Sequence, residues 1–305
     1  MVMRLVSFVL LLFVLLVQPL FGMSSVTYQI NWDAVNVGGD DFASSLNYQL
    51  NDSLGGIADG TSTGALYGLQ AGYRAAESTT ERLSFALGAQ ESATQVTYSA
   101  FSAGGSTVTV SSAGFMSVGD YVGVVENEGF SQLVAVGRVA SIVSNVITVD
   151  GWSGDQVSMS GTPTGGNDFV YRLGGTALAF GTVTAGAQNV SLAAVSVDST
   201  ATSGYTVYIQ GDGLLRSTGA SITSVSDGTV SVGSEEYGMS VTGTRAFAAG
   251  IDAAVTSTQR VIGQSPAASA TEGDRLGMTF KLSTVASTAA GSYGQIIYYT
   301  LTANY

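Results

Sequence analysis

The chain has 305 residues, including 40 glycines and only 3 prolines, and 10% of its residues are charged. It contains no His and no Cys, which excludes Ser-His-Asp and Cys-His nucleophile systems, imidazole or thiolate metal sites, and disulfides. Lys and Arg number 10 against 22 Asp and Glu, and the resulting net charge of −12 disfavours nucleic acid as a partner.

The overall composition predicts strands and tight turns. Ser, Thr, Ala, Val and Gly are abundant, whereas the charged helix formers Glu, Lys and Arg are few. A hydrophobic content of 45% is enough to build a sizeable core. We therefore predict an all-β protein made of two or three small domains.

Residues 1–24 have the pattern of a signal peptide. Arg4 supplies a positive charge, residues 6–17 are almost all Leu, Val and Phe, and Pro19 ends the apolar run. About 12 residues at ~1.5 Å rise cover only about 18 Å, which is short of the roughly 30 Å hydrocarbon core of a bilayer. We predict cleavage before Ser25, with a cut after Gly22 as the alternative position, and an extracellular or cell-surface location. Retention of the segment as a membrane anchor is the alternative.

Residues 25–80 are predicted to form a short-strand repeat, because a short strand followed by Gly occurs three times. Four apolar side chains alternate with polar ones in its first strand: Val26, Tyr28, Ile30 and Trp32. This alternation is typical of a half-buried strand. We predict that residues 26–32 donate a strand to a sheet edge, with Tyr28, Ile30 and Trp32 as contact residues.

Three segments make up part of this repeat: Ser45-Leu46-Asn47-Tyr48-Gln49-Leu50, Ser53-Leu54-Gly55-Gly56 and Leu69-Gln70-Ala71-Gly72-Tyr73. Together they resemble a sequence pattern near the start of secreted surface proteins of candidate-phylum bacteria. That pattern is S-x-N-Y-x-L, then G, then S-x-N-Y-x-L-x-x-G-Y. The chain departs from that form at Gly64-Ala65-Leu66-Tyr67, where Ser and Asn are expected. The resemblance covers residues 25–75 and implies a location rather than an activity.

Residues 96–172 contain a run of short apolar strands separated by turns with Gly and Asn. Five or six strands without a helix in so short a stretch predict a small β-barrel-like module, because closing a sheet removes its exposed edges.

Longer strands follow in residues 173–305, among them Gly204-Tyr205-Thr206-Val207-Tyr208-Ile209 and the alternating residues 296–301. Together with Phe180-Gly181 and the following Val-x-Val strand, they resemble the immunoglobulin-like and pilin-like sandwich domains of surface proteins. The resemblance implies a β-sandwich made of residues 81–95 plus 173–305, with the barrel-like module inserted into it.

Carboxylates are the remaining candidates for catalysis. Glu126 and Glu128 flank a turn residue, while Glu235 and Glu236 are neighbours whose side chains would leave a strand on opposite faces. Neither pair is preorganised by its spacing for glycoside hydrolysis. We therefore predict a non-catalytic protein without catalytic residues or a cofactor.

Lys281 is the only lysine in the chain. It alternates with the apolar residues of 276–282, so it is expected on the opposite face of that strand. We predict that it points outward as a solubilising charge, and not inward beside an acid, as an amide crosslink to Asn would require.

Aspartates in Gly-rich turns are weak calcium candidates: Asp40, Asp41, Asp168 and Asp212. None of them belongs to a twelve-residue EF-hand loop. Side-chain hydrogen bonds within turns explain the same residues without a metal.

Trp152 lies between Gly and Ser in a predicted turn and is the best candidate for an exposed aromatic contact with a partner. Most of the 14 tyrosines fall in predicted strands, where core packing is expected.

Three functions fit this sequence. The first is a structural or self-assembling component of the cell envelope, whose partners are other copies of the chain or other envelope proteins. The second is an adhesin or carbohydrate-binding module that binds a glycan through exposed aromatics. The third is an outer-membrane β-barrel, because residues 293–305 alternate and end in Tyr; the lack of an even series of strands about ten residues long disfavours it.

Overall fold

The computed structural model describes residues 43–44, 49–50, 60–63, 68–71 and 82–304. The prediction of an all-β fold is confirmed, because the only helical element in these residues is a single 3-10 turn at Ser92–Thr94. No helix among them is long and apolar enough to span a membrane. The chain divides into two compact units, Met1–Thr80 and Glu81–Tyr305.

The first unit contains two short antiparallel pairs. Strands β1 (Ala43–Ser44) and β2 (Gln49–Leu50) form one pair, and β3 (Gly60–Thr63) and β4 (Gly68–Ala71) form the other. Several predictions lie outside the described residues. These are the signal peptide over residues 1–24, the donor-strand residues Tyr28, Ile30 and Trp32, and the calcium candidates Asp40 and Asp41.

The strands of the second unit are, in chain order, β5 (Leu83–Gln90), β6 (Val96–Ser102), β7 (Thr107–Val110), β8 (Tyr121–Glu126), β9 (Leu133–Val143), β10 (Val146–Val149), β11 (Ser153–Gly154), β12 (Phe169–Gly175), β13 (Asn189–Ser199), β14 (Tyr205–Gly211), β15 (Arg216–Ser217), β16 (Ala220–Ser221), β17 (Glu236–Thr242), β18 (Arg260–Ser265), β19 (Asp274–Ser283) and β20 (Ile297–Ala303). All pairings between these strands are antiparallel.

Two sheets enclose the larger core of this unit. The first has the strand order β5-β13-β19-β17, and the second has the order β18-β14-β20. Fully buried apolar side chains from both sheets pack together between them, including Val195, Val207, Met239, Ile262 and Phe280. We call this part the sandwich. Its core forms because apolar residues in β14 and β19 alternate with residues on the other face.

Six strands form a closed ring. Strand β9 pairs with β10, which pairs with β7; β7 pairs with β6, β6 with β12, β12 with β8, and β8 returns to β9. Apolar side chains that are fully buried fill its interior: Val108, Val122, Ala135, Ile147 and Val170. Closure gives every strand of the ring two neighbours, so none of them is an edge strand.

The ring also covers the outer face of the first sheet of the sandwich. Val134 and Val136 of β9 pack with Leu192 and Ala194 of β13 in a separate apolar cluster. A side chain on Gly277 of β19 would press against Val134 and Val136. Strands β13 and β19 are therefore buried on both faces, which explains why almost every residue in them is inaccessible to solvent.

Candidate functional site: an open sheet edge

The sandwich has two sides where edge strands of its two sheets face each other, and one of these sides is closed. On that side, the edge strands are β17 and β18. Isolated bridges continue their ladders: Met239 pairs with Ala253, Tyr237 pairs with Ser224, and Gly263 pairs with Ala246. Loops from the same domain therefore cover the backbone groups of both strands.

The other side is formed by β5 and β20, which lie close to each other. Strand β5 pairs with β13 along one of its edges. Along its opposite edge, only two residues of the strand, Ala89 and Gln90, have ladder partners, and these partners belong to β12. Among the described residues, the backbone of 83–88 has no ladder partner on that side. Strand β20 likewise pairs only with β14 within the described part of the chain.

Two large apolar side chains on the core face of β5 are partly open to solvent. Phe85 is 44% exposed and Leu87 is 42% exposed. Both point to the core side, because their ladder partners Val197 and Val195 belong to the buried core. The sandwich core is thus incompletely covered along β5, where one more strand would bury these two side chains.

The sequences of both edge strands lack the features that usually prevent edge pairing. Neither Leu83–Gln90 nor Ile297–Ala303 contains a charged residue or a proline. By contrast, the strands on the closed side carry Glu236 and Arg260. Long, uncharged and uncovered edges are the ones that pair with other strands. We call β5 and β20 with their exposed residues the open edge.

Trp152, predicted as an exposed partner contact, is partly buried and packs against the apolar interior of the ring. Its indole lies 5.2 Å from the ring of Phe101, centroid to centroid, and it contacts the buried cluster inside the ring. Its Nε1 is buried and has no hydrogen-bond partner among the described residues. The ring brings Phe101 next to this turn from far away in the sequence, which no local pattern reveals, and a partner contact at Trp152 stays a prediction.

The two described calcium candidates use their carboxylate oxygens within the protein. Asp168 is buried and accepts hydrogen bonds from the backbone N–H groups of Asn127 and Gly165, at 2.8 and 2.9 Å. Asp212 pairs with Arg216 at 2.7 Å, and this pairing lowers the pKa of the Asp212 carboxyl. Among the described residues, no three acidic side chains converge as a metal site would require.

The glutamates weighed as catalytic pairs are bound to separate partners. Glu126 accepts a hydrogen bond from the Ser160 backbone N–H, whereas Glu128 accepts one from the Tyr171 hydroxyl at 2.6 Å. Burial, together with this contact to Glu128, raises the pKa of Tyr171. Each of these two carboxylates is thus held by a different partner.

The neighbouring residues Glu235 and Glu236 also accept hydrogen bonds from separate partners. Glu235 accepts a hydrogen bond from the Thr288 hydroxyl, and Glu236 accepts one from the Ser231 backbone N–H. The two carboxylates therefore contact different loops, as expected for neighbours whose side chains leave opposite faces of a strand.

Lys281 lies on the face of β19 opposite the sandwich core, as its alternation predicts, but it is not exposed to solvent. It is only 9% exposed, and its Nζ lies 2.6 Å from Oδ1 of Asp252, which is itself 6% exposed. The prediction of a solubilising lysine was therefore wrong. Sequence reasoning also did not single out Phe85 and Leu87, because it could not reveal that the edge beside them is uncovered.

Comparisons with family models, with curated proteins and with solved structures find no match to this chain.

Proposed function

We propose that this protein is a non-catalytic, exported surface protein that assembles with copies of itself through edge-strand pairing. The open edge carries the proposal, since its backbone groups have no partner among the described residues and its apolar side chains are half exposed. The signal-peptide pattern of residues 1–24 supports export.

The contrast between the two sides of the sandwich gives this proposal further support. A domain that worked as an isolated monomer would be expected to cover both sides, and among the described residues loops cover the β17 and β18 side alone. The alternative of an adhesin has less support, because its chief candidate, Trp152, is partly buried against Phe101.

Size measurement tests the proposal directly. The chain beginning at residue 25 is purified and studied by size-exclusion chromatography with light scattering over a range of concentrations, with and without calcium, and by negative-stain imaging. We expect large oligomers or regular polymers whose size grows with concentration and does not depend on calcium. A strict monomer in all conditions would overturn the proposal and favour a glycan screen for the adhesin alternative.

A further inference from the structure

We infer that the open edge of β5 is an acceptor site for residues 26–32 of a second copy of this chain. The inference rests on the proposed function and adds to it the identity of both pairing segments. It assigns Phe85 and Leu87 as the side chains that the incoming strand covers, and Tyr28, Ile30 and Trp32 as the side chains that cover them.

The position beside β5 has the geometry of a missing strand. Strand β12 already pairs with Ala89 and Gln90 at one end of this edge and then leaves it after Gly175. A strand that continued along residues 83–88 would extend the ladder that β12 begins. Its core-facing residues would lie next to Phe85 and Leu87, because directly opposed residues of a ladder point to the same face.

Residues 26–32 have the sequence that this position requires. Their apolar side chains alternate with Thr, Gln and Asn, so one face suits the core and the other suits water. They contain no charged residue, no proline and no glycine. Their length is sufficient to run along the free stretch of residues 83–88. Main-chain hydrogen bonds would supply affinity, and the alternating side chains would supply register.

A second copy as the source of the strand gives a contact that can repeat from copy to copy. The donor segment and the acceptor edge are different surfaces, so each copy that accepts a strand still has its own strand to donate. Contacts of this kind repeat along a filament unless the rotation between copies closes a ring. This agrees with the assembly that we propose.

Disulfide trapping tests the pairing, since the chain has no cysteine of its own. Two chains beginning at residue 25 are mixed under mild oxidation, one with Tyr28→Cys or Ile30→Cys and the other with Phe85→Cys or Leu87→Cys. We expect a disulfide-linked heterodimer for at least one combination, identified by mass spectrometry, because facing residues in adjacent strands are close enough to bridge. The matched control is Gln29→Cys, which lies on the other face of the donor strand and should give no heterodimer with Leu87→Cys above random background.

The outcomes separate this inference from the proposed function. If the unmodified chain forms oligomers but no combination gives a specific heterodimer, the acceptor assignment is wrong and the assembly proposal stands. If a chain carrying both Tyr28→Cys and Leu87→Cys closes a disulfide within one molecule at high dilution, and mixed chains form none, the donor belongs to the same copy and the inference is overturned. Equal crosslinking by Gln29→Cys would also overturn it.

A variant that introduces a charge gives an independent measurement. Leu87→Asp places a carboxylate on the partly exposed core face of the acceptor edge, and Ser84→Asn places an uncharged polar side chain on the outer face of the same strand. We expect Leu87→Asp to abolish growth of oligomers in light scattering and Ser84→Asn to preserve it, with circular dichroism confirming that both chains remain folded. Equal assembly by both variants would contradict the inference.

Discussion

Lys281 and Asp252 form a buried ion pair, with Nζ and Oδ1 2.6 Å apart, on the face of β19 that points away from the sandwich core. Asp252 Oδ2 accepts a hydrogen bond from the Val230 backbone N–H at 2.8 Å. Its Oδ1 lies against the Lys281 ammonium, so the two buried charges compensate each other. The pair anchors the segment around residue 230 to the sheet.

We expect Lys281→Met to destabilise the protein by about 3–5 kcal/mol, because Asp252 would be left as an unpaired buried charge. The double variant Lys281→Met with Asp252→Leu should recover much of that loss, since it removes both charges. Urea unfolding of both variants measures the free energy of unfolding. If the two substitutions lowered the free energy of unfolding additively, the pairing would be contradicted. A wild-type mass lower by one water would also contradict the ion pair, because it would mean an amide bond between the two side chains.

The strands that alternate cleanly could be predicted from the sequence, whereas β17 and β18 could not. Tyr205–Gly211 alternates because one face of its sheet packs on the core. Glu236–Thr242 and Arg260–Ser265 contain Gly238 and Gly263, which weaken a strand pattern. Both glycines are required by close packing, because a side chain at Gly238 would meet Val225 and one at Gly263 would meet Leu276.

The candidate site depends on contacts that no local pattern reveals. The alternation of residues 276–282 correctly predicts the face on which Lys281 lies. Its burial depends on segments around residues 230 and 252 that are distant in the sequence. In the same way, the strand character of residues 83–87 could be predicted, whereas the missing neighbour beside them follows from the order of the whole sheet.

A second ion pair, with a buried Arg275, joins the ring to the sandwich. The Arg275 side chain is 4% exposed, and its Nη2 lies 2.7 Å from Oδ2 of Asp150. The same guanidinium donates to the carbonyls of Gly151 and Glu272. We expect Arg275→Met to cost about 1–3 kcal/mol, because these acceptors lose a charged donor. Arg82→Met, which removes an exposed ion pair with Asp198, is the matched control and should change the free energy of unfolding by less than about 1 kcal/mol.

Arg275 also gives a test of how the ring and the sandwich unfold. If the two parts unfold as one cooperative unit, Arg275→Met should shift a single urea transition and leave it single. Two separate transitions in the wild-type protein would contradict the shared packing of Val134, Val136 and Leu192 between them.

Buried tyrosines should make the protein sensitive to alkali. Burial raises the pKa of Tyr171, Tyr205, Tyr237 and Tyr299 above the ordinary value of 10.0. The unfolded chain then releases these protons at a lower pH than the folded chain does. The stability they contribute is therefore complete below pH 10 and is lost as the pH rises through the raised pKa values.

We expect these tyrosines to ionise at the same pH at which the sheets lose their circular dichroism signal. The near-ultraviolet absorbance of tyrosinate measures the ionisation. Tyr171→Phe should reduce the steepness of the alkaline loss of stability, because one of the raised groups is gone. Complete tyrosine ionisation with the sheets still intact would show that the pKa values are not raised.

Trp152 provides a test that separates packing from ligand binding. Because its indole packs against Phe101 and the apolar interior of the ring, we expect Trp152→Ala to destabilise the protein by about 3 kcal/mol. Trp152→Phe should cost less, since a phenyl ring keeps much of the apolar contact and removes the buried Nε1–H that has no partner among the described residues.

The fluorescence of this side chain gives the complementary measurement. In a chain carrying Trp32→Phe, Trp152 is the only tryptophan, and its emission should be shifted to the blue, as expected for an indole shielded from water. Urea should shift the emission to the red at the same midpoint that circular dichroism reports. A red-shifted emission in the folded protein would instead indicate that Trp152 lies at the surface. A Trp152→Ala variant that keeps its stability but loses binding to a glycan would indicate the same, and either result would favour the adhesin alternative.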